Sequence, residues 1–325
     1  MDRNKSLETL EKIDKWDVIV IGGGATGLGV AVDAASRGYK TLLLEQSDFA
    51  KGTSSRSTKL VHGGVRYLEQ GNLQLVREAL MERGYILKNA PHLAKKQAFI
   101  IPVYSLWERI KYSAGLKLYD LMAGSQRVGH SSWLRKTKVI ESMSGVKEDK
   151  LKGGVLYYDG QFDDARMAVS LAATCTDLGG TVVNYMRVTA LAKDGNGRLD
   201  RVEATDLENG RTYHLQTRAV VNATGVFVDD VHKMDTGTEE HTVQPSQGVH
   251  LVLPPHFLQT TQCALMIPAT DDGRVLFVVP WHNHLLAGTT DTPLEEHTLE
   301  PRALKKEVDF ILRNAGKYLK DAPER

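Results

Sequence analysis

The sequence predicts an α/β protein with two parts, a parallel sheet flanked by helices and a second, mainly antiparallel sheet. Three observations predict this class. An apolar strand, a glycine turn, a helix and a second apolar strand succeed one another within residues 16–45. A further apolar run at 219–223 (AVVNA) has the character of the strands in that first unit. From residue 249 onward, short strands alternate with turn residues, a pattern typical of an antiparallel sheet.

The N-terminal region contains one complete strand–helix–strand unit. The run 16–21 (WDVIVI) is rich in Val and Ile, as expected of a strand buried in a parallel sheet. A helix is predicted over 25–37 and ends at Gly38, a residue type favoured just after helix C-termini. Residues 41–45 (TLLLE) form the second buried strand. We expect the late strand at 219–223 to join these two strands in one sheet.

The remaining elements follow from the same periodicities. Further helices are predicted over 72–89, 107–122, 165–178 and 302–318. Further strands are predicted over 182–191, 199–206, 211–216, 249–253, 264–267, 275–279 and 285–288. An Asn-Gly turn at 209–210 joins two of these strands into a hairpin. We expect two domains that are discontinuous in sequence: one over 15–90 and about 150–235, the other over about 91–149 and 236–325.

Composition and charge fit a globular chain with a sizeable core. Of the 325 residues, 42% are hydrophobic and 25% are charged, which is ordinary for a globular protein. The net charge of +1 lacks the basic excess expected of a nucleic-acid-binding protein. Two cysteines do not make a disulfide framework. The polar segment 1–15 lacks the apolar core of a signal peptide, and glycines interrupt the apolar run 18–35, so we expect a cytoplasmic protein.

A glycine-rich turn follows the first strand. Gly22, Gly24 and Gly27 match G-x-G-x-x-G in the strand–turn–helix context that this motif requires. The first glycine permits a tight bend, the second lets a pyrophosphate approach the backbone, and the third lets the helix pack closely on the strand. Glu45 ends the second strand, where a carboxylate accepts hydrogen bonds from a ribose diol. The pattern predicts a Rossmann-type dinucleotide site.

The fingerprint alone does not distinguish FAD from NAD, but a second feature does. Ala223, Thr224 and Gly225 follow the late apolar strand. A strand ending in Ala-Thr-Gly resembles the one that returns the chain to the cofactor in glutathione-reductase-like flavoproteins. The resemblance favours FAD as the cofactor and these three residues as part of its site.

The segment 52–69 (GTSSRSTKLVHGGVRYLE) points to one family. It resembles, nearly residue for residue, the loop that follows the FAD fold in FAD-dependent glycerol-3-phosphate dehydrogenases. Further motifs that resemble those of this family lie at residues 21–38, 158–166 (YDGQFDDAR), 280–281 (PW) and 288–291 (GTTD). The resemblance covers essentially the whole chain.

The chain departs from the family pattern in a few residues and in length. Leu28 stands where the family usually has a smaller residue, Phe227 where a Trp is common, and residues 282–284 (HNH) where a stretch with an Arg is usual. Family members usually continue into an Arg-Pro-containing strand, a Gly-Gly-Lys motif and a helical C-terminal domain. We expect this chain to lack that region, which normally supplies basic groups for the substrate phosphate.

The resemblance implies oxidation of sn-glycerol 3-phosphate to dihydroxyacetone phosphate, with hydride transfer to flavin N5 and electrons passed on to a quinone. His250 stands where the family places its active-site histidine, and an imidazole suits proton removal near neutral pH. Arg56 is expected to bind the substrate phosphate. The residues leave two alternatives open: an oxidase that delivers electrons to oxygen, and an FAD-binding chain without turnover.

The resemblance also implies contacts between the 52–69 loop and the flavin. The expected cofactor-binding residues are Ser54, Ser55 and Ser57 toward the pyrophosphate, and His62, Gly63 and Gly64 toward the isoalloxazine. Thr290 and Asp291 are expected either to lie behind the residues that touch the ligands or to form a simple turn. The acidic residues at 159, 163 and 164 are expected to cap helices rather than to bind a metal.

The helix over 107–122 interleaves basic and aromatic residues, among them Arg109, Lys111 and Lys117. We favour a packed helix with a solvated basic face over a helix that touches a membrane surface. Peripheral contact with the inner face of the cytoplasmic membrane and a homodimer are both compatible with the sequence.

Overall fold

The computed structural model describes residues 1–239, 241–260 and 262–324, which contain both helices and strands. The helices of this part are α1 (Arg3–Lys12), α2 (Ala25–Ser36), α3 (Val65–Glu69), α4 (Leu73–Asn89), α5 (Leu106–Ala123), α6 (Lys136–Ser142), α7 (Asp164–Asp177), α8 (Val228–Thr236) and α9 (Lys305–Gly316). Its strands are β1 (Lys15–Trp16), β2 (Val18–Ile21), β3 (Thr41–Leu44), β4 (Leu60–Val61), β5 (Ala94–Val103), β6 (Ser132–Arg135), β7 (Gly153–Phe162), β8 (Thr181–Val183), β9 (Met186–Lys193), β10 (Leu199–Asp206), β11 (Thr212–Thr217), β12 (Val220–Asn222), β13 (Ser246–Gln247), β14 (His250–Leu253), β15 (Cys263–Ile267), β16 (Leu276–Trp281), β17 (His284–Gly288) and β18 (Thr292–Pro293).

The chain divides into two compact units, each discontinuous in sequence. The first unit contains residues 1–57, 164–245 and 294–299, and the second contains the described residues of 58–163, 246–293 and 300–324. The domain boundaries expected from the sequence differ from this division. They assign 58–90 and 150–163 to the first domain, whereas these segments lie in the second unit. The reason is that β7 pairs with β5 along its whole length, β4 pairs with β7, and α4 packs against β5.

The first unit is built on a parallel sheet with the strand order β12-β2-β3-β8. Ile19 lies opposite Val220 on one side and opposite Leu42 on the other, so the predicted pairing of the early and late strands is confirmed. Alternate strand residues point to opposite faces. Val20 and Leu43 pack under the helices α2 and α7, while the residues next to them pack on the other face. The apolar run of the early strands therefore reflects burial on both faces.

An antiparallel sheet with the order β1-β11-β10-β9 contributes to the core on that other face. The prediction of a single strand over 182–191 is wrong. The chain forms β8 in the parallel sheet and then β9 in the antiparallel one, and Tyr185 between them adopts a left-handed conformation with φ of 53°. The helix α1, which the sequence analysis does not predict, buries Leu10 in this core. Its Arg3 binds Asp206 at 2.7 Å.

The second unit contains an eight-stranded sheet with the order β14-β17-β16-β15-β5-β7-β4, and β6 pairs with β7 beside this path. The pairings of β14 with β17, β17 with β16 and β16 with β15 are antiparallel, as predicted from residue 249 onward. The pairing of β15 with β5 is parallel. The strands β5 and β7 are not predicted from the sequence. Within the described ranges, no helix has both the length and the apolar character that crossing a bilayer requires.

Candidate functional site

The glycine turn after β2 is closed by contacts that leave no room for side chains. Gly22 has φ of 109°, and a Cβ at this position would stand 2.4 Å from the carbonyl oxygen of Ala223. A Cβ at Gly27 would stand 1.9 Å from the carbonyl oxygen of Gly22. The turn therefore packs β2, α2 and β12 together at the carboxyl edge of the parallel sheet. The N-terminus of α2, with its partial positive charge and backbone N–H groups, begins at this edge, with Gly24 as the residue before it.

Glu45 lies at the same edge and is bound to the glycine turn. Its Oε2 accepts a hydrogen bond from the N–H of Gly23 at 2.6 Å, and its Oε1 accepts one from the N–H of Ser47 at 2.7 Å. Burial raises the pKa of Glu45, and the two backbone hydrogen bonds oppose that rise. The carboxyl group is therefore a fixed acceptor at the end of the second strand, where such folds recognise a ribose.

The serine loop after β3 is held at both ends by side-chain hydrogen bonds. Ser54 Oγ accepts the N–H of Ala25, the first residue of α2, at 2.8 Å. Ser57 donates its hydroxyl to Asp164 Oδ2 at 2.7 Å and its N–H to the same atom at 3.2 Å. Ser55 lies in the short 3₁₀ turn of this loop. Asp164, a residue expected only to cap a helix, thus also anchors the loop to α7.

Arg56 is exposed in the same loop and donates from Nη1 to the carbonyl oxygen of Leu299 at 3.1 Å. This contact ties the loop to the late segment 294–299 of the first unit. A guanidinium has five N–H donors, and this contact uses one of them. The role of Arg56 toward substrate stays a prediction.

The residues after β12 form a second loop beside the glycine turn. Thr224 donates its hydroxyl to Asn222 Oδ1 at 2.7 Å, and Asn222 Nδ2 donates to the carbonyl oxygen of Val228 at 2.8 Å. Gly225 has φ of 60°, a conformation that favours glycine. With Ala223 in contact with Gly22, the three predicted residues lie next to the fingerprint, and their contact with a cofactor stays a prediction.

His62, Gly63 and Gly64 belong to the second unit and connect β4 to α3. The N–H of Gly64 donates to His62 Nδ1 at 3.0 Å, so this nitrogen carries no proton in the bond. A Cβ at Gly63 would stand 2.4 Å from Leu80 Cδ2 and 2.5 Å from the hydroxyl oxygen of Tyr119. Glycine at 63 therefore lets the segment lie directly on the helices α4 and α5.

The hydroxyl of Tyr119 belongs to a buried ionic cluster that the sequence analysis does not predict. Arg83 Nη1 donates to Asp159 Oδ1 at 2.9 Å, and the two side chains are 1% and 3% exposed. Tyr119 donates to Asp159 Oδ2 at 2.7 Å, and burial together with the neighbouring carboxylate raises the pKa of Tyr119 well above its usual range. The expectation that Asp159 caps a helix is wrong. It is the charged centre between α4, α5 and β7, whereas Asp164 does accept the N–H of Ala165 in the first turn of α7.

His250 is the first residue of β14 and is half-buried in the second unit. Its Nε2 lies 2.9 Å from Thr58 Oγ1. On the neighbouring strand it faces Gly288, where a Cβ would stand 2.3 Å from His250 Cδ2. Glycine at 288 thus makes room for the imidazole. Thr58 is a partner that no local sequence pattern predicts, since it lies 192 positions before the histidine.

The structure places the predicted site residues in both units. The first unit holds Gly22, Gly24, Gly27, Glu45, Ser54, Ser55, Arg56, Ser57, Ala223, Thr224 and Gly225. The second unit holds His62, Gly63, Gly64, His250, Thr290 and Asp291. In the described part of the chain, no group of His, Cys, Asp and Glu side chains has an arrangement that could hold a metal ion.

The parallel sheet of the first unit, with the glycine turn, Glu45 and the returning strand β12 at one edge, defines a dinucleotide-binding protein of the Rossmann type. The sequence profile of the family described as FAD dependent oxidoreductase matches residues 17–325. The chain belongs to this family, and the prediction of FAD as the cofactor is thereby confirmed.

Individual relatives agree with the resemblance drawn from residues 52–69, which is also confirmed. The chain is 43% identical over 329 residues to the mitochondrial glycerol-3-phosphate dehydrogenase of Homo sapiens, covering 98% of this chain and 45% of that protein. It is similar to the X-ray structure of the glycerol-3-phosphate dehydrogenase from Bacillus halodurans complexed with FAD, with a TM-score of 0.78 and 30% identity over 99% of this chain and 56% of that one.

A more distant structure shares the fold. It is the L-alpha-glycerophosphate oxidase from Mycoplasma pneumoniae with FAD bound, with a TM-score of 0.70 and 15% identity over 94% of this chain and 79% of that one. The chain spans about half the length of the curated relatives it matches.

Proposed function

We propose that this protein catalyses the FAD-dependent oxidation of sn-glycerol 3-phosphate to dihydroxyacetone phosphate. The observation that carries the proposal is the match of 98% of the chain, at 43% identity, to a protein named for that substrate. The geometry supports it because the candidate base His250 is bonded to the loop that carries the family motif, through Thr58.

The residues of the first unit fit FAD. The turn formed by Gly22, Gly24 and Gly27 and the N-terminus of α2 would hold the pyrophosphate, since this helix end offers backbone N–H groups and partial positive charge. Glu45 would accept hydrogen bonds from the ribose. Ser54, which already binds the first turn of α2, would lie toward the pyrophosphate. FAD, when bound, supplies the acceptor for the hydride that leaves the substrate carbon.

The chain's own residues would handle the proton and the phosphate. His250 would receive the proton of the substrate hydroxyl, and its Nε2 shares a hydrogen bond with Thr58 that fixes the orientation of the ring. Arg56 would bind the substrate phosphate through its guanidinium. His62, Gly63 and Gly64 would let their loop pass close to the isoalloxazine.

The test is anaerobic reduction of the bound flavin. Glycerol 3-phosphate added to the FAD-loaded chain should bleach the flavin absorbance, and His250→Asn should slow the bleaching by about 100-fold or more, the usual contribution of a general base. The matched control is His284→Asn, an exposed histidine on β17, which should reduce flavin at the unchanged rate. Bound FAD that does not bleach with the unmodified chain would instead mark a flavin-binding chain without turnover.

We propose a quinone as the electron acceptor and the inner face of the cytoplasmic membrane as the place where the protein meets it. The support is an apolar stripe along α5, which consists of Leu106, Trp107, Ile110, Leu118 and Leu121. Trp107 and Leu121 are 71% and 74% exposed. The sequence predicts a solvated basic face here. In the structure this helix exposes the apolar stripe as well as the basic residues Arg109, Lys111 and Lys117. Such a helix suits an anionic membrane surface.

Vesicle binding tests this surface. The protein should co-sediment with vesicles that contain phosphatidylglycerol, and the double variant Trp107→Ser/Leu121→Ser should bind at least about 10-fold more weakly, since each lost side chain forfeits about 1.5–3 kcal/mol of burial. Leu207→Ser, which changes an exposed apolar residue of the first unit, is the control. A homodimer that dissociates when α5 is changed, with no vesicle binding, would assign the stripe to a second copy.

The acceptor is tested separately. A quinone analogue should reoxidise the flavin much faster than dissolved oxygen does. If oxygen reoxidises the flavin faster than the quinone analogue does, and one hydrogen peroxide forms for each substrate oxidised, the protein is an oxidase.

A further inference from the structure

Two segments beside His250 meet at one buried carboxyl group. Glu307, in the first turn of α9, is 2% exposed. Its Oε2 accepts hydrogen bonds from Gln247 Nε2 at 2.7 Å and from the N–H of Leu304 at 2.8 Å. Its Oε1 accepts a longer one from Thr290 Oγ1, at 3.5 Å. Gln247 and Thr290 are themselves buried, and Gln247 Nε2 also donates to the carbonyl oxygen of Arg302 at 3.1 Å, so the buried polar groups have partners within this part of the unit.

The same contacts continue to the backbone next to His250. The N–H of Val249 donates to Thr290 Oγ1 at 3.0 Å. The carbonyl oxygen of Val249 accepts a hydrogen bond from Thr289 Oγ1 at 3.2 Å. Both polar backbone groups of the residue before His250 are therefore bonded to the segment that follows β17. The position at which β14 begins is fixed by side chains as well as by the strand ladder.

Helix capping accounts for only part of this network. The bond from the N–H of Leu304 to Glu307 is one half of a capping box, and leucine has no side-chain acceptor that could form the other half. The helix α5 has the complete box, in which Glu108 accepts the N–H of Ser105 at 3.0 Å and that of Tyr104 at 2.8 Å. Those bonds join Glu108 to the start of its own helix. Glu307 in addition binds side chains from β13 and from the loop after β17.

We propose that Glu307 is a positioning residue for His250. Its carboxyl group holds Gln247 and Thr290, and through Thr290 it fixes Val249, so that the imidazole stays over Gly288 within hydrogen-bond distance of Thr58. The inference rests on the proposed function, in which His250 acts on the substrate hydroxyl. Groups of this kind act by keeping a reacting side chain in its productive geometry, where a displacement of about 1 Å is enough to slow a reaction about 100-fold.

The experiment compares three variants of the FAD-loaded chain: Glu307→Ala, Glu307→Gln and Glu108→Ala. Amide hydrogen exchange is measured in peptides covering 246–253 and 285–293, and the rate constant of flavin reduction is measured anaerobically at saturating glycerol 3-phosphate. Glu307→Ala should speed exchange in both peptides and slow reduction by about 10- to 100-fold with FAD still bound. Glu307→Gln keeps an oxygen for Gln247 and Leu304, and should restore most of the rate.

Glu108→Ala is the matched control because it removes the same kind of cap from another helix of the second unit. It should lower the unfolding midpoint and leave both exchange and reduction unchanged. If Glu108→Ala gives the same changes as Glu307→Ala, or if Glu307→Ala reduces flavin at the unmodified rate, Glu307 is only a cap and the inference is wrong.

Two further outcomes separate the inference from other failures. If Glu307→Ala does not fold, Thr290→Val removes the acceptor of the Val249 N–H with little change in shape, and normal exchange and reduction in that variant would overturn the proposal. If the unmodified chain binds FAD but glycerol 3-phosphate does not reduce it, the proposed function fails. In that case the amide exchange of the peptides covering 246–253 and 285–293 still tests whether Glu307 fixes the strand of His250, because this measurement does not depend on flavin reduction.

Discussion

Replacing Arg83 by Met should strongly destabilise the second unit. The guanidinium of Arg83 and the carboxylate of Asp159 are 2.9 Å apart, and both side chains are almost completely buried. Methionine fills part of the space but leaves the carboxylate without its counter-ion. Asp159 would keep its bonds from the Tyr119 hydroxyl and from the N–H of Gly160. The variant therefore contains a desolvated negative charge held only by two hydrogen bonds.

The expected loss follows from this burial. Removing one partner of a buried ion pair costs about 3–5 kcal/mol because the surviving charge stays desolvated. The two bonds that Asp159 keeps put the expected loss near the lower end, at about 3 kcal/mol. Such a loss is a large part of the stability of a typical domain, about 5–15 kcal/mol. The double variant Arg83→Met/Asp159→Leu removes the stranded charge and should recover part of it.

Urea unfolding followed by circular dichroism measures the effect as a shift of the midpoint. Since the chain has two compact units, each unfolding phase is fitted separately. The control is Arg37→Met, which breaks the same type of pair with Asp33, where the side chains are 65% and 62% exposed. That variant should leave the midpoint unchanged. Equal midpoints for Arg83→Met and Arg37→Met would refute the claim that burial makes the pair costly to break.

Three predictions concern the cofactor site. Glu45→Gln should weaken FAD binding by about 10- to 100-fold in a flavin fluorescence titration, because a hydrogen bond to a charged acceptor contributes about 1.5–3 kcal/mol; an unchanged Kd would exclude the carboxylate from the site. Burial raises the pKa of Glu45 above its ordinary 4.5, so the carboxylate should become protonated, and FAD affinity should fall, as the pH drops through a range above that value. If the Kd of Glu45→Gln depends on pH to the same extent, a group other than Glu45 causes the pH dependence. Gly27→Ala should abolish FAD binding, since its Cβ would stand 1.9 Å from the carbonyl oxygen of Gly22. Gly29→Ala places its Cβ in open space on the same helix and should bind FAD normally. Similar FAD binding by both variants would contradict the packing argument.

The first unit could largely be predicted because its signals are local. The strands β2 and β3 read as apolar runs, and the glycine turn between them is continuous in sequence. The strands β5 and β7 could not be predicted in this way. Lys95 and Lys96 interrupt β5, and the glycines of β7 look like turn residues. In the structure, a Cβ at Gly154 would stand 2.9 Å from side-chain atoms of Ile100 and Val139, so this glycine serves close packing.

The candidate site follows the same rule. The fingerprint glycines and Glu45 lie within one short motif, so their grouping could be predicted. The pairing of His250 with Thr58, and that of Gln247 with Glu307, join residues 192 and 60 positions apart. These contacts depend on the tertiary packing of the second unit, including the docking of α9, which no local pattern in one sequence records. The second unit's polar networks therefore emerge only from the structure.

The interleaved order of the two units has a consequence for biosynthesis. The chain passes from one unit to the other after residues 57, 163, 245, 293 and 299. The strand β2 emerges early from the ribosome, but its neighbour β12 is among the later elements of the first unit to be made. Until then an apolar edge of the nascent sheet has no partner, a state prone to aggregation. Cofactor loading must therefore wait until β12 has been made, and a molecular chaperone that covers the waiting strands should raise the yield of FAD-loaded protein.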